Sequence, residues 1–293
     1  MNPNPLTPAR SPSDGERENR HRADGGSVAL EMSAVAFGSM KDQTATVAEQ
    51  INWTVNAGEF WVVAGPQRSG KSDFLMLAGG LMSPTRGTYR CFGAEMPIFE
   101  EERLAERLRL GLVFDGGQLF NHLTIAENVA LPLRYHENLT CAEAGPRVQA
   151  LLELTELSRF AGHAPAALAR NWQKRAGLAR ALMLRPDVLL LDNPLARLDA
   201  RHTNWWLNFL GRLARGQTAL RDQPMTLVAT SESFRPWRDH ASHFALLSEG
   251  TFTLIGNCAA LGVSADARVR ELLALELPAG ATDADAATSG QPK

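Results

Sequence analysis

Apolar residues along this chain gather in short runs between polar turns, and a few stretches carry the three-to-four spacing of an amphipathic helix. Phe60 to Ala64, Val188 to Leu191 and Thr226 to Ala229 are continuous apolar runs bounded by turn residues, the mark of strands buried on both faces. Val28 to Glu31, Ala34 to Phe37, Thr88 to Cys91 and Leu110 to Phe114 also predict strands. Val47 to Val55 predicts another, with Ile51, Trp53 and Val55 on one face. Phe244 to Leu247 and Phe252 to Ile255 flank Glu249-Gly250 and predict a hairpin. Helices are predicted from Asp73 to Ala78, Glu100 to Arg109, 141 to 160, Trp172 to Leu184, about Arg201 to Arg215, and Arg268 to Leu275. The plainest is 141 to 160, where Val148, Leu151, Leu152, Leu154 and Leu157 make a wide apolar face. Asp115 to Phe120 reads as a loop, followed by an apolar run to Tyr135.

Between the first apolar strand and the first helix stands Gly65-Pro66-Gln67-Arg68-Ser69-Gly70-Lys71-Ser72, a G-x-x-x-x-G-K-S sequence. Strand, Gly-rich turn and helix together are the context of a phosphate-binding loop. The backbone N–H groups of such a turn form a nest for phosphate oxygens, and the helix N-terminus adds positive partial charge. Lys71 is expected to reach the outer phosphates and the Ser72 hydroxyl to hold Mg²⁺, with Asp73 next in the helix. Arg68 departs from the pattern, since Arg is costly where a loop needs positive φ. Val188 to Leu191 ends in Asp192, whose carboxylate is predicted at the C-terminal edge of a parallel sheet, holding Mg²⁺ through water.

Composition narrows the field. The chain has 293 residues, is 44% hydrophobic and carries net charge −2, which fits a globular protein with a real core and marks no surface for nucleic acid. Cys91, Cys141 and Cys258 are scattered and make no metal spacing, pointing to a reducing compartment. No run approaches the length of a transmembrane helix, so work at a membrane implies a partner. Residues 1 to 27 are polar and rich in Pro and Arg, and 278 to 293 in Ala, Gly, Asp and Thr; both read as disordered tails around a domain at 28 to 277.

The order and spacing of these motifs resemble the ATP-binding subunits of ABC transporters, over about residues 28 to 275. The interval from Lys71 to Asp192 leaves room for that family's inserted helical subdomain, at about 115 to 185. Gln173 to Leu182 looks like the helix after its signature, Asp192-Asn193-Pro194 like its D-E-P, and Ala196-Arg197-Leu198-Asp199 like its D-loop. Val113 to Arg134 is similar to the corresponding stretch of Mla-type ATPases, which drive phospholipid transport with MCE substrate-binding proteins. The resemblance implies an α/β fold: a P-loop NTPase of ABC type, with a mainly parallel sheet core, an antiparallel β subdomain and the helical insertion. It implies ATP and Mg²⁺ as ligands, and an integral-membrane permease, a second ATP-binding subunit in a homodimer or heterodimer, and an MCE-type protein as partners. The place implied is cytoplasmic, on the inner face of the membrane. Phe37, which by itself reads as a core residue, matches the adenine-stacking position.

Four functional positions differ from the family at once. Asp115 replaces the Gln after V-F, where it either ligates Mg²⁺ or repels the γ-phosphate. Leu168-Ala169-Arg170-Asn171-Trp172 replaces the signature L-S-G-G-Q. Asn193 stands at the catalytic Glu and Ser231 at the switch His, so no catalytic residue is intact. The expectation is a subunit that binds Mg-ATP with weak or no hydrolysis; a non-transport pseudo-ATPase acting as a regulatory scaffold is the alternative.

Overall fold

The computed structural model describes residues 27–40, 42, 45–96, 104–220 and 222–275. The tails expected at 1 to 27 and 278 to 293, Ser27 apart, lie outside these residues, as do positions 100–103 of the helix expected at 100 to 109.

Two sheets share the core. The larger has the order β10-β9-β3-β8-β7-β6, made of β3 (Phe60–Ala64), β6 (Leu110–Val113), β7 (Val188–Leu191), β8 (Thr226–Ser231), β9 (His243–Ser248) and β10 (Thr251–Gly256). From β9 through β3, β8 and β7 to β6 every pairing is parallel, and β10 closes the edge antiparallel to β9. Every residue of β3, β7 and β8 is buried, which explains their unbroken apolar runs. The smaller sheet is antiparallel in the order β2-β1-β4-β5, with β1 (Val28–Gly38), β2 (Thr46–Asn56), β4 (Arg86–Cys91) and β5 (Ala94–Glu95). The two strand segments expected at 28 to 37 are one strand. Its register slips between Met32 and Val35, where Ala34 takes φ 50 and its N–H donates to Asn52 Oδ1 at 2.9 Å.

Helices follow the strands. α1 (Lys71–Ala78) leaves the loop after β3, α2 (Leu104–Arg107) precedes β6, and α3 (Ile125–His136), α4 (Cys141–Leu154) and α5 (Arg170–Leu182) build the helical part between β6 and β7. α6 (Ala200–Ala214) follows β7, and α7 (Cys258–Gly262) and α8 (Ala267–Ala274) end the described chain. α3 forms where the pattern showed only an apolar run. Thr124 and Glu127 make a reciprocal capping box at its start, and Pro132 is accommodated inside it. The helix expected over 141 to 160 stops at Leu154. Glu156 turns left-handed at φ 59, and the N–H groups of Leu157 and Glu156 donate to the carbonyls of Leu152 and Glu153, a Schellman closure.

Two contacts fix the loop after β6. Asn128, fully buried in α3, accepts from the N–H of Phe120 at 2.8 Å and donates to the carbonyls of Phe120, Leu123 and Thr124. Gly117 and Gly177 let the loop rest on the backbone of α5: a Cβ on Gly177 would lie 2.6 Å from Gly117 Cα, and one on Gly117 would lie 2.3 Å from the Gln173 carbonyl oxygen.

Between the sheets Trp53 is buried, edge-on to Trp61 at 5.7 Å and against Phe74 and Phe252 at 5.2 and 5.8 Å. It joins β2 to β3, α1 and β10. Trp53→Ala removes that joint, and the urea unfolding midpoint is expected to fall by the equivalent of about 3–5 kcal/mol.

Candidate functional site: the carboxyl edge of the parallel strands

Ala64 of β3 pairs with Ser231 of β8, Leu191 of β7 with Ala229, and Val113 of β6 with Leu191. Four strands therefore end side by side, and the segments that follow them converge. A cavity of about 1090 Å³ opens there, with the loop 67–73, Asp115, Asp192, Asn193, Arg197 and Glu232 on its walls. A ligand site outside the carboxyl ends of parallel strands is the general expectation for such a sheet.

The loop between β3 and α1 has the backbone its sequence calls for. Gly70 sits at φ 88 against β2, where a Cβ would come within 2.0 Å of Val47 Cγ1. Arg68 takes φ 63, so the unusual residue does occupy a left-handed position. The Lys71 ammonium is buried and turned inward, donating to the carbonyls of Gly65 at 2.8 Å and Pro66 at 2.6 Å. Burial lowers its pKa, opposed by the charges of Glu232 and Asp192. Ser72 Oγ donates to Asp192, 2.9 Å from Oδ2 and 3.1 Å from Oδ1. Thr230 Oγ1 donates to the same carboxylate at 3.0 Å and accepts from the Asn193 N–H at 3.0 Å. Burial raises the pKa of Asp192, while the bonds from Ser72 and Thr230 pull it back. Ser72 and Asp192 thus present hard oxygen donors together on the cavity wall, the ligand class Mg²⁺ takes. Asp73 anchors the other wall, accepting from the Met40 N–H at 3.0 Å.

Three expected roles are corrected. Phe37 is 0% exposed and packs on Phe74 in the core; the strand's pleat turns it away, and Ser39 and Met40 line the cavity instead. Ser231 is also buried, its hydroxyl donating to the Ser233 carbonyl at 2.8 Å, while Glu232 faces the cavity with Gln67 Nε2 at 3.4 Å. Asp115 is not a free metal ligand. Its Oδ1 is 2.9 Å from Lys174 Nζ and its Oδ2 is 3.1 Å from Arg197, with Arg170 at 4.0 Å.

Lys174 was missed by the sequence reading. It is 2% exposed, and its ammonium also donates to the carbonyls of Asn193 at 3.1 Å and Ala196 at 3.0 Å. Burial lowers its pKa, opposed first by the Asp115 carboxylate. The signal was its place one and two helical turns before Leu178 and Leu182, on the buried stripe of α5. Nearby, α5 begins without a side-chain cap from Ala169, and Asn171 Oδ1 accepts from the Trp172 N–H at 2.8 Å. Trp172 packs on Phe160 and His202, and the buried Arg175 guanidinium lies between the rings of Trp172 and Trp205, 4.5 and 3.7 Å from their centroids. The same Arg175 donates to Glu156 at 2.8 Å, so α5 is tied to α6 and to the end of α4.

On the other side of the loop after β6 is a second cavity of about 700 Å³, lined by Leu81, Phe120, Leu131, Pro132, Tyr135 and Arg180 among others. Phe120 is 52% exposed and Leu119 half-buried, whereas Leu133 belongs to the core.

A phosphate loop, a carboxylate-tipped parallel strand beside it and a helical insertion define a nucleotide-binding α/β domain. The particular family is the ABC transporter family, whose model matches residues 48–196, and the chain belongs to it as an ATP-binding domain. The chain is 29% identical over 250 residues to the intermembrane phospholipid transport system ATP-binding protein MlaF of Escherichia coli (strain K12), covering 83% of this chain and 91% of that protein. It is 37% identical over 158 residues to the spermidine/putrescine import ATP-binding protein PotA of Thermobifida fusca (strain YX), covering 54% of this chain and 40% of that protein. A solved dimeric ATP-binding cassette in a post-hydrolysis state, bound to ADP and Pi, superposes with TM-score 0.67 at 27% identity, over 76% of this chain and 95% of the other. Its likeness extends the ABC fold to about three quarters of the chain. No helix among the described residues is long and apolar enough to cross a membrane.

Mg-ATP is expected to raise the thermal midpoint of the purified chain, since a ligand at a hundred times its Kd adds about 2.7 kcal/mol. Lys71→Ala is expected to abolish that shift, as read by differential scanning fluorimetry, and to lower the midpoint without nucleotide as well, because the Gly65 and Pro66 carbonyls lose their donor.

Proposed function

We propose that this chain is the ATP-binding subunit of a phospholipid transporter, and that it binds Mg-ATP with weak or no hydrolysis of its own. The phosphate loop, Lys71, Ser72 and Asp192 would hold the triphosphate and its metal. Bound Mg²⁺ would neutralise phosphate charge; the chain's own groups would orient the phosphates and keep the metal end dry. The phospholipid cargo is supported by the match to MlaF, which runs nearly the whole length of that protein, and by the similar stretch from Val113 to Arg134. The alignment with the polyamine importer covers less than half of that protein's length.

The observation that carries the weak-hydrolysis reading is Asn193. Its backbone is fixed by Thr230 on the N–H side and Lys174 on the carbonyl side, and its side chain is a carboxamide on the cavity wall. A carboxamide cannot take a proton from the attacking water. Ser231 has its hydroxyl engaged away from the cavity, and Arg170 and Asn171 stand where the family has glycines. Asn193→Glu alone is therefore expected to leave steady-state hydrolysis near background. A general base contributes only about 10²–10⁴-fold, and residues that act as a unit are not additive. The contrasting test combines Asn193→Glu, Asp115→Gln, Arg170→Gly and Asn171→Gly with Glu232→His, at the position after β8 that faces the cavity. Turnover typical of the family from Asn193→Glu alone would defeat the reading.

The second cavity is proposed as the seat of the permease, which would place the chain peripherally at the inner face of the membrane, paired with a second ATP-binding subunit. An MCE-type substrate-binding protein would complete the assembly. Phe120 offers a half-exposed ring beside Pro132 and Tyr135 on an apolar cleft, the kind of residue that dominates interfaces. Phe120→Ala is expected to weaken copurification with the permease by about tenfold or more, the scale of an aromatic hot spot. Nucleotide-induced thermal shifts should be unchanged by it.

A further inference from the structure

We infer that Arg197 is a ligand for the terminal phosphate of a nucleoside triphosphate, and that Asp115 is the group it exchanges for that phosphate. The inference rests on the reading of the larger cavity as a nucleotide site and adds to it a residue that neither the motif nor the family match assigns.

The backbone aims Arg197 at the cavity. Leu195 and Leu198 on either side of it are buried, and the carbonyls of Asn193 and Ala196 are held by the Lys174 ammonium at 3.1 and 3.0 Å. Arg197 takes φ 60, and its side chain, 61% exposed, runs along the wall that also carries Asp192, Asn193 and Asp115. This is the metal end of the cavity, because Ser72 and Asp192 meet there. The far wall is formed by Ser39, Met40, Val47 and Gly250, so a triphosphate laid on the loop with its metal at Ser72 brings its last phosphate towards Arg197.

The ion pairs show why Arg197 is free to move. Asp115 Oδ2 is 3.1 Å from Arg197, but its Oδ1 is 2.9 Å from Lys174, which is 2% exposed and does not line the cavity. When Arg197 swings away, Asp115 keeps a buried counter-ion, so no carboxylate is left uncompensated. Lys174 cannot make the same move, because its ammonium also donates to the carbonyls of Asn193, Pro194 and Ala196. Arg170, 4.0 Å from the same Oδ2 and 56% exposed, can take up the place Arg197 leaves. A guanidinium donates in a planar fork that fits a phosphate better than a single carboxylate oxygen. ADP lacks the phosphate that would draw Arg197 across, so the exchange separates ATP from ADP.

The test is titration calorimetry of the full chain with Mg-ATP and Mg-ADP. Arg197 is exposed, so Arg197→Ala is expected to fold normally. It should weaken ATP about tenfold, the equivalent of one charge-assisted hydrogen bond, and leave ADP within about twofold. Asp115→Asn removes the competitor and should strengthen ATP several-fold with ADP unchanged, in a protein whose melting midpoint confirms the fold. Equal effects of Arg197→Ala on both nucleotides, or no effect on either, overturn the inference while leaving the nucleotide site intact. Failure of the unaltered chain to bind either nucleotide overturns the nucleotide reading itself, and the role of Arg197 with it.

Discussion

A parallel sheet buried on both faces satisfies its backbone polar groups within its own ladders, and only at the strand ends are they released to other partners. The larger cavity of this chain depends on that constraint. β3, β8, β7 and β6 run in register and stop together, so groups from Lys71 to Glu232 arrive at one edge. The Ser72 hydroxyl and the Asp192 carboxylate are 120 residues apart in the chain and 2.9 Å apart in space because β3 and β7 are separated only by β8. Thr230, on the strand between them, bonds to the Asp192 carboxylate and the Asn193 amide, so the intermediate strand also sets the angle of its neighbour's carboxylate.

A second constraint acts where the helical insertion meets this edge. A buried ammonium must be surrounded by oxygen, and Lys174 draws its oxygens from the loop after β6 and from the segment after β7. It fastens α5 to the nucleotide core by charge, in addition to the apolar packing of Ala176, Leu178, Ala179 and Leu182. Arg175, the next residue and so about 100° further round the helix, ties α5 to its neighbours through Glu156 and two tryptophan rings. Asp115, Trp172 and the carbonyl of Asn193 are each engaged in one of these two fastenings.

Much of this was legible in the sequence where the cause is local. The phosphate loop, the buried strands and Asp192 were readable because residue type and spacing there are dictated by the backbone they must form. α3 was missed although Thr124 and Glu127 spell a capping box, because the apolar run after them, interrupted by Pro132, hid the helical spacing. The break at Glu156 was not readable, since a left-handed residue other than Gly or Asn carries no warning. Phe37 was misplaced because an aromatic near a phosphate loop says nothing about which side of the pleat it takes. Lys174 and Arg197 matter only through partners distant in sequence, and no pattern along one chain records which carboxylate a lysine will meet.

The close approach of Gly117 to Gly177 has a mechanical consequence. Phe120 lies at one end of a short loop and Asp115 at the other, and each belongs to a different cavity. Between them the loop bears on α5 with no side chain interposed at either glycine, and Arg180 grips the carbonyls of Gly117 and Gln118 at 2.9 Å. Rotamer changes, the ordinary means by which packed proteins absorb a push, are not available at a contact made of bare backbone. The loop therefore meets α5 main chain to main chain, and a displacement of either meets backbone at the two glycines rather than a side chain that can turn aside.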